Sequence, residues 1–557
     1  MSKTVIAIDP VTRLEGHLKV EVQVEDGKVA DAWITGGMFR GFEAILRGRN
    51  PRDASQIVQR ICGVCPVAHA TASSLAIEAV CGVEVPENGR IARNLMLAGN
   101  YLQSNILHFY HLGGQDYFHG PDTVPFIPRY RNPDLRLSEE QNTLAMDEYI
   151  EALEVRQVCH QLVALFGGRM PHLQGILGGG AAQIPDRGTI LEYAARMKQV
   201  RKFVESRYLP LVYTIASRYM DMFGMAHGYK NALCVGVFPL ARKGEQFFNA
   251  GAYINGRDEP FDGNRILEDV RYSWFEPAPS GTPLQKSESN PQVGKEGAYS
   301  FIKAPLYAGH RVEVGPLARM WINDKPLSPI GQRFFADMFG IRAETFREIG
   351  ENPAFSIMGR NVARVEEVYQ LLGMIEYWLR ELEPGAQTFA LPEVPQAGEG
   401  IGFTEAPRGA LCRYMRVKNG VIDDYAVVAA SMWNCSPRDD AGKRGAVDFL
   451  RDQLNALTQR HLEVVQELDV DRLFAGFDNG LGQLQRAFAA EAPVIGLGAA
   501  DTVLLAELLQ QSDLRVGIGV EAVDADDRVD AGLLDGVHMV EQVAGALFQK
   551  LEVLLGV

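Results

Sequence analysis

The chain has 557 residues, 46% hydrophobic and 22% charged, and a formal net charge of −15. That length exceeds what a single hydrophobic core organises and predicts two to four domains. No stretch approaches the roughly 18 uninterrupted apolar residues of a membrane span, and the acidic balance excludes a nucleic-acid partner, whose phosphates demand a basic face. The opening MSKTVIAIDPVTRLEGH has an acid by residue 9 and no apolar core, so it predicts neither a secretory signal nor an anchor. The expected location is the cytoplasm, or an exported or membrane-associated site reached together with a signal-bearing partner.

Residues 4–36 alternate apolar and polar side chains around Glu25-Asp26-Gly27, a hairpin pattern that predicts a small sheet within residues 1–40. From about residue 90 the apolar period lengthens to that of helices, and residues 90–225 and 325–385 read as long bundle-forming helices, the second set stopped by Pro384 and Gly385. Residues 249–318 are rich in Gly, Pro and short polar clusters, which predicts loops and short strands laid over the helices. In residues 400–440, GALCRYMRVKNGVIDDYAVVAASMW predicts two strands around Lys418-Asn419-Gly420. The fold class is therefore α+β, predominantly helical, with a long helix bundle and small peripheral sheets. Residues 1–446 form this body. Residues 447–557 return to helical patterning with a strand at RVGIGVEAV and form a separate acidic segment of unassigned family; from residue 451 onward, 18 acids face 7 bases.

Seven cysteines, at 62, 65, 81, 159, 234, 412 and 435, are too few and too scattered for a disulfide framework. Cys62 and Cys65 form the close pair, in RICGVCPVAHA. Two thiolates two residues apart can chelate one metal, and Pro66 suits a first helical turn that would place Cys65 where a helix N-terminus favours an anionic sulfur. Taken alone, the pair is equally half a zinc site, a redox dithiol or chance, and His69 a satisfied helix histidine. Glu15, in a strand-like TRLEGH, reads either as a buried proton relay or as the partner of Arg13 in a surface ion pair. Glu43 reads as a solvated helix residue. Gly178-Gly179-Gly180 is followed by no Lys-Ser/Thr pair and predicts a tight turn. The segments around Thr404–Gly409 and Trp433–Asp440 read as turn-rich loops at strand ends, a common position for binding residues.

Taken in order, VTRLEGH, RGFEAILRGRNPRDA, RICGVCPVAHA, ILHFYHL, GGRMPHLQGILGGG, FTEAPRGAL and WNCSPRDDAGKRG resemble the large subunit of nickel-iron hydrogenases, heterodimeric enzymes that interconvert dihydrogen with protons and electrons. The resemblance implies that Cys62 is a terminal nickel ligand and that Cys65 bridges nickel and an iron carrying cyanide and carbon monoxide. It implies that Arg408, beside Pro407, donates to one cyanide and Ser431 to the other. Glu15 matches the carboxylate that takes the proton, and Glu43 with the backbone carbonyl of Val427 matches a magnesium site. The implied partner is an iron-sulfur small subunit, because this chain has no cysteine array of its own for electron-carrying clusters.

The chain departs from that pattern at several positions. Asn105 stands where the family often has His, Ala430 where it usually has Pro, and Cys412-Arg413 where Gly-His is common. The largest departure is at the far end: the family closes with Asp-Pro-Cys-x-x-Cys-x-x-His, which supplies two more thiolates and a magnesium ligand, whereas no cysteine follows Cys435 here. Two functional expectations follow. One is a catalytic large subunit with an incomplete or altered ligand set; the other is a catalytically impaired homologue serving as a structural or assembly subunit.

Overall fold

The computed structural model describes residues 3–445, except residues 15, 26, 27, 125, 128, 243 and 288. The expectations for Glu15, for the turn residues Asp26 and Gly27, and for the segment 447–557 lie outside the described residues. The N-terminal strands Lys3–Ile8, Leu18–Glu25 and Lys28–Gly36 form one antiparallel sheet. Its register sets Val20 opposite both Ile8 and Ile34, all three buried, so the alternation seen in sequence becomes one apolar face.

The helices follow in chain order. Short α1 (Phe42–Leu46) and α2 (Ala54–Ile57) precede α3 (Pro66–Cys81), α4 (Glu87–Ile106), α5 (Glu139–Gly167), α6 (Arg187–Phe203) and α7 (Leu209–Arg218). After the strand-and-loop region come α8 (Pro316–Asn323), α9 (Pro329–Phe339), α10 (Glu351–Ala354), α11 (Ile357–Glu381) and α12 (Ala430–Asn434). Helix α4 is buried almost all the way round and packs against α5 and α11, the position of a helix with no solvent face. ILHFYHL continues α4 as a π-helical segment, Leu107–Gly113, a wider winding than the regular helix that its spacing predicts. Ser138 and Gln141 form a reciprocal capping box at the start of α5.

On α5, Glu148 is 2% exposed, and its carboxylate accepts a hydrogen bond from the Tyr110 hydroxyl at 2.8 Å. Burial pushes its pKa up to about 7, against the Tyr110 hydrogen bond and Arg207. An acid whose folded pKa lies above its unfolded value loses stabilisation as pH rises between the two. Glu148→Gln, which keeps an acceptor for Tyr110, should therefore raise the thermal midpoint by a few degrees, with a gain that grows from about pH 4.5 to pH 7 and stays constant above. Thermal scans at pH 5 and pH 8 check it; an equal effect at both would refute the buried-charge explanation.

Short strands occupy the Gly- and Pro-rich region as expected, among them Gly251–Ile254, Ile266–Asp269 and Ala304–Tyr307. Gly178-Gly179-Gly180 is the tight turn its sequence predicts, joining Ile176–Leu177 to Gly180–Ala181 with Leu177 opposite Gly180.

Three long strands, Ala397–Ala406, Gly409–Lys418 and Val421–Val428, form a second antiparallel sheet. Asn419 and Gly420 both take positive φ, the geometry of a two-residue hairpin turn that follows the strand twist. The first of these strands, AGEGIGFTEA, carries glycines at alternate positions that read locally as loop. The glycines serve close packing instead: a Cβ on Gly402 would lie 2.2 Å from the Ala72 carbonyl, and one on Gly400 would lie 2.7 Å from the Val80 nitrogen. Bare backbone on one face of the strand lets α3 lie directly on the sheet, which sets the direction in which the N-terminus of α3 points.

Candidate metal centre

That N-terminus carries the cysteine pair. A 3₁₀ turn, Val58–Ile61, ends at Cys62 in extended backbone, and Cys65 is the residue before Pro66, the first residue of α3. The Cys65 amide donates to the Cys62 sulfur at 3.4 Å, so both sulfurs lie on one short turn. The loop is held from two sides. Asn100 and Gln103 of α4 donate to the Val64 carbonyl at 2.7 and 2.8 Å, while Arg40 donates to the carbonyls of Arg60 and Ile61 at 2.8 and 2.6 Å. At a helix N-terminus the backbone presents partial positive charge, which favours thiolate sulfurs able to bind a cation.

Cys62 and Cys65 line a cavity of about 400 Å³ whose wall also contains Glu43, Arg408, Val427 and Ser431. Residues more than 360 positions apart in the chain thus line one cavity. Pro407 and Arg408 are the two-residue loop between the first two strands of the second sheet, since Ala406 pairs with Gly409, and Arg408 projects from the tip of that hairpin. Its Nε and Nη2 are buried and have no acceptor among the described residues. A guanidinium in that state demands an acceptor from outside those residues. Ser431 stands on the single turn α12, where the strand expected through VVAASMW ends at Val428 and gives way to one helical turn.

The hairpin tip is anchored from behind by Arg319 of α8, which is fully buried. Its Nη1 donates to Glu405 at 2.6 Å and to the Ala406 carbonyl at 3.0 Å, and its Nη2 to Glu367 at 3.0 Å and the Pro407 carbonyl at 2.7 Å. Burial pushes Glu405 up to about 7, against Arg319 and the Val235 amide.

Glu43 is 9% exposed and not the solvated helix residue that its local sequence suggests. It accepts from the Val427 amide N–H at 2.8 Å and lies 3.5 Å from the Lys303 ammonium. Lys303 is fully buried and also contacts Glu268 at 3.2 Å and the Ser289 hydroxyl at 2.7 Å. Burial opposes its charge, but the Glu268 and Glu43 carboxylates prevail and raise its pKa. Arg13, weighed as a partner for Glu15, donates to Asp116 at 2.8 Å.

Cys435 lines the same cavity, while Cys412 is buried behind it. Burial pushes both thiols above their usual range, Cys435 to about 12. Among the described residues no group of three or more His, Cys, Asp or Glu side chains gathers as a metal site. Lys303, Glu268 and Arg319 lie in no motif, and only the folded chain brings them to Glu43 and to the hairpin that carries Arg408.

The chain has close likenesses among known proteins. A family model described as nickel-dependent hydrogenase matches residues 40–124 and 119–479, running past residue 446, where the quoted motifs end, and a second, described as HoxL-like, matches residues 5–35. The periplasmic [NiFeSe] hydrogenase large subunit of Desulfomicrobium baculatum is 50% identical over 88% of this chain and 96% of its own length. The hydrogenase-2 large chain of Escherichia coli K12 is 30% identical over 78% of this chain and 90% of its own. Among solved structures, the Ni-Fe-Se hydrogenase of D. vulgaris Hildenborough in the reduced state is 59% identical, with a TM-score of 0.78 over 80% of this chain and 93% of that one. The sulfur pair at the head of α3, the hairpin arginine above it and these likenesses lead to one conclusion: the chain belongs to the nickel-dependent hydrogenase family, as a large subunit.

Proposed function

We propose that this chain catalyses the reversible oxidation of dihydrogen, with electrons passed to an iron-sulfur small subunit. The observation that carries the reading is the convergence of Cys62, Cys65 and the unpartnered Arg408 guanidinium on one cavity. The donors present fit a nickel-iron centre on that wall: two soft thiolates for the metals and an orphaned guanidinium for an anionic ligand such as iron-bound cyanide. When bound, such a centre supplies the site at which dihydrogen is split into protons and electrons.

The chain's own residues hold and serve it. Cys62 and Cys65 would supply thiolates to it, and Arg408 and Ser431 would donate hydrogen bonds to cyanide ligands of an iron that also carries carbon monoxide. Pro407 stiffens the hairpin tip, its carbonyl held by Arg319. Glu15 moves the proton outward. Glu43 and the Val427 backbone belong to a magnesium site in which Lys303 already neutralises part of the carboxylate charge. The family uses four thiolates and this sequence offers one close pair, so nickel is held less firmly than in a four-thiolate site. The Desulfomicrobium and D. vulgaris relatives are selenium-containing by name, and no selenocysteine stands in this sequence.

The small subunit is the proposed partner because electrons need a cluster-bearing exit. Export together with that partner is favoured by the periplasmic location in the name of the Desulfomicrobium relative. Among the described residues no helix is long and apolar enough to cross a membrane. The test is co-expression with the small subunit, followed by elemental analysis and infrared spectroscopy of the purified complex. The expected result is a two-chain complex containing iron and less than one nickel per chain, with carbon monoxide and cyanide bands. A monomeric chain holding zinc or no metal, without those bands, would favour the impaired homologue.

A further inference from the structure

Arg413, in the middle strand of the second sheet, is fully buried and has no carboxylate partner among the described residues. Its Nη1 donates to the carbonyls of Cys412 and Val428, each at 2.8 Å. Its Nη2 meets Nδ1 of His69 at 2.5 Å, across 344 positions of sequence. His69 is 2% exposed, lies one turn after Cys65 on α3, and lines the cavity, whereas Arg413 stands behind the ring and is not part of the cavity wall. The backbone of His69 is tied to the same turn, its amide donating to the Cys65 carbonyl at 3.3 Å.

Chemistry fixes the roles in this contact. A guanidinium has five N–H donors and no acceptor, and it keeps its proton in proteins. Nδ1 must therefore be the acceptor and cannot itself carry hydrogen. An imidazole nitrogen that accepts a hydrogen bond carries no proton, so the ring is neutral and has a single proton to place. That proton belongs on Nε2, the polar atom left to face the cavity. We propose that Arg413 is a positioning residue that fixes His69 as the Nε2–H tautomer, so that the imidazole presents a hydrogen-bond donor to the wall beside Cys65.

The lock is a property of this chain's residue. Gly-His is common at the position of Cys412-Arg413 in the resembling family, and a histidine in that place could accept from Nδ1 as readily as donate to it. Arginine removes that freedom. A donor of fixed sense suits an electron-rich acceptor in the cavity, thiolate sulfur being the one already on the wall. That use of the donor rests on the proposed function; the tautomer does not.

The experiment is nitrogen NMR of the two-subunit complex labelled with ¹⁵N-histidine, at one neutral pH, where the two neutral tautomers and the imidazolium give distinct signals. His69→Gln identifies the His69 signals by their loss. The expected wild-type result is a single species with Nε2 protonated and Nδ1 bare. In Arg413→Met the Nδ1–H form should appear as a measurable share, and Arg413→Lys, which restores a donor, should suppress it again. An Nδ1–H or imidazolium signal in the wild type overturns the proposal, as does a pure Nε2–H signal in Arg413→Met. If Arg413→Met does not fold, the wild-type signals and Arg413→Lys decide. The tautomer is read with or without nickel, so failure to load metal counts against the proposed function alone, and a wrong tautomer counts against this assignment alone.

Discussion

Cys65→Ser should leave the purified complex without nickel and lower dihydrogen oxidation by on the order of a hundredfold or more, since even loss of a residue supporting a metal ligand costs about 10- to 100-fold. The serine oxygen is hard, and it loses its proton far less readily than a thiol, so it cannot replace a soft anionic donor at neutral pH. Cys435 lines the same cavity, but burial pushes its thiol up to about 12, so it does not supply a replacement thiolate at neutral pH. Cys81→Ser is the control: Cys81 ends α3, sixteen residues and the length of the helix away from Cys65, and its removal should change neither metal content nor rate. Nickel retained in Cys65→Ser with undiminished turnover would remove the pair from the site. Loss of nickel in both variants would point to a general folding defect instead.

The features legible in sequence are those written in one stretch of chain. The N-terminal hairpin, the capped helices, the Gly178–Gly180 turn and the Lys418–Gly420 hairpin each have a local cause, whether period, cap or turn chemistry. The strand Ala397–Ala406 is not legible, because its alternating glycines show no strand period when read alone and serve close helix contact only when α3 lies on them. At the site, Cys62 and Cys65 are visible because a chelating pair is sequence-local. Arg408, Ser431, Glu43 and Val427 carry no local signal of chemistry, and only the family resemblance gathers them. Arg319, Lys303 and the contact between Arg413 and His69 escape both routes: each is a buried charge whose meaning lies in a partner dozens to hundreds of residues away. Burial makes such charges costly unless they are paired, and pairing is a property of the tertiary structure.

Arg319→Met should destabilise the protein by about 3–5 kcal/mol, the usual cost of removing one partner from a buried charge network. Glu367 and Glu405, both fully buried, would face each other with no cation between them. The direction with pH follows from Glu405. Burial already lifts it to about 7, and loss of Arg319 removes the main opposing influence, lifting it further. A raised carboxyl gives its full stabilisation below the unfolded value of about 4.5 and loses it as pH rises through the folded value. The variant therefore goes on losing stability above pH 7, where the wild type has levelled off, and its deficit should be larger at pH 8.5 than at pH 6. Urea unfolding at the two pH values measures this. Glu405→Gln in the Arg319→Met background should recover part of the loss, chiefly at the higher pH. The carbonyls of Ala406 and Pro407 also lose their donor, so the tip that carries Arg408 is released and turnover falls even where the chain stays folded. A deficit below about 1 kcal/mol, equal at both pH values, would show that water reaches these carboxylates and that Arg319 does not anchor the hairpin.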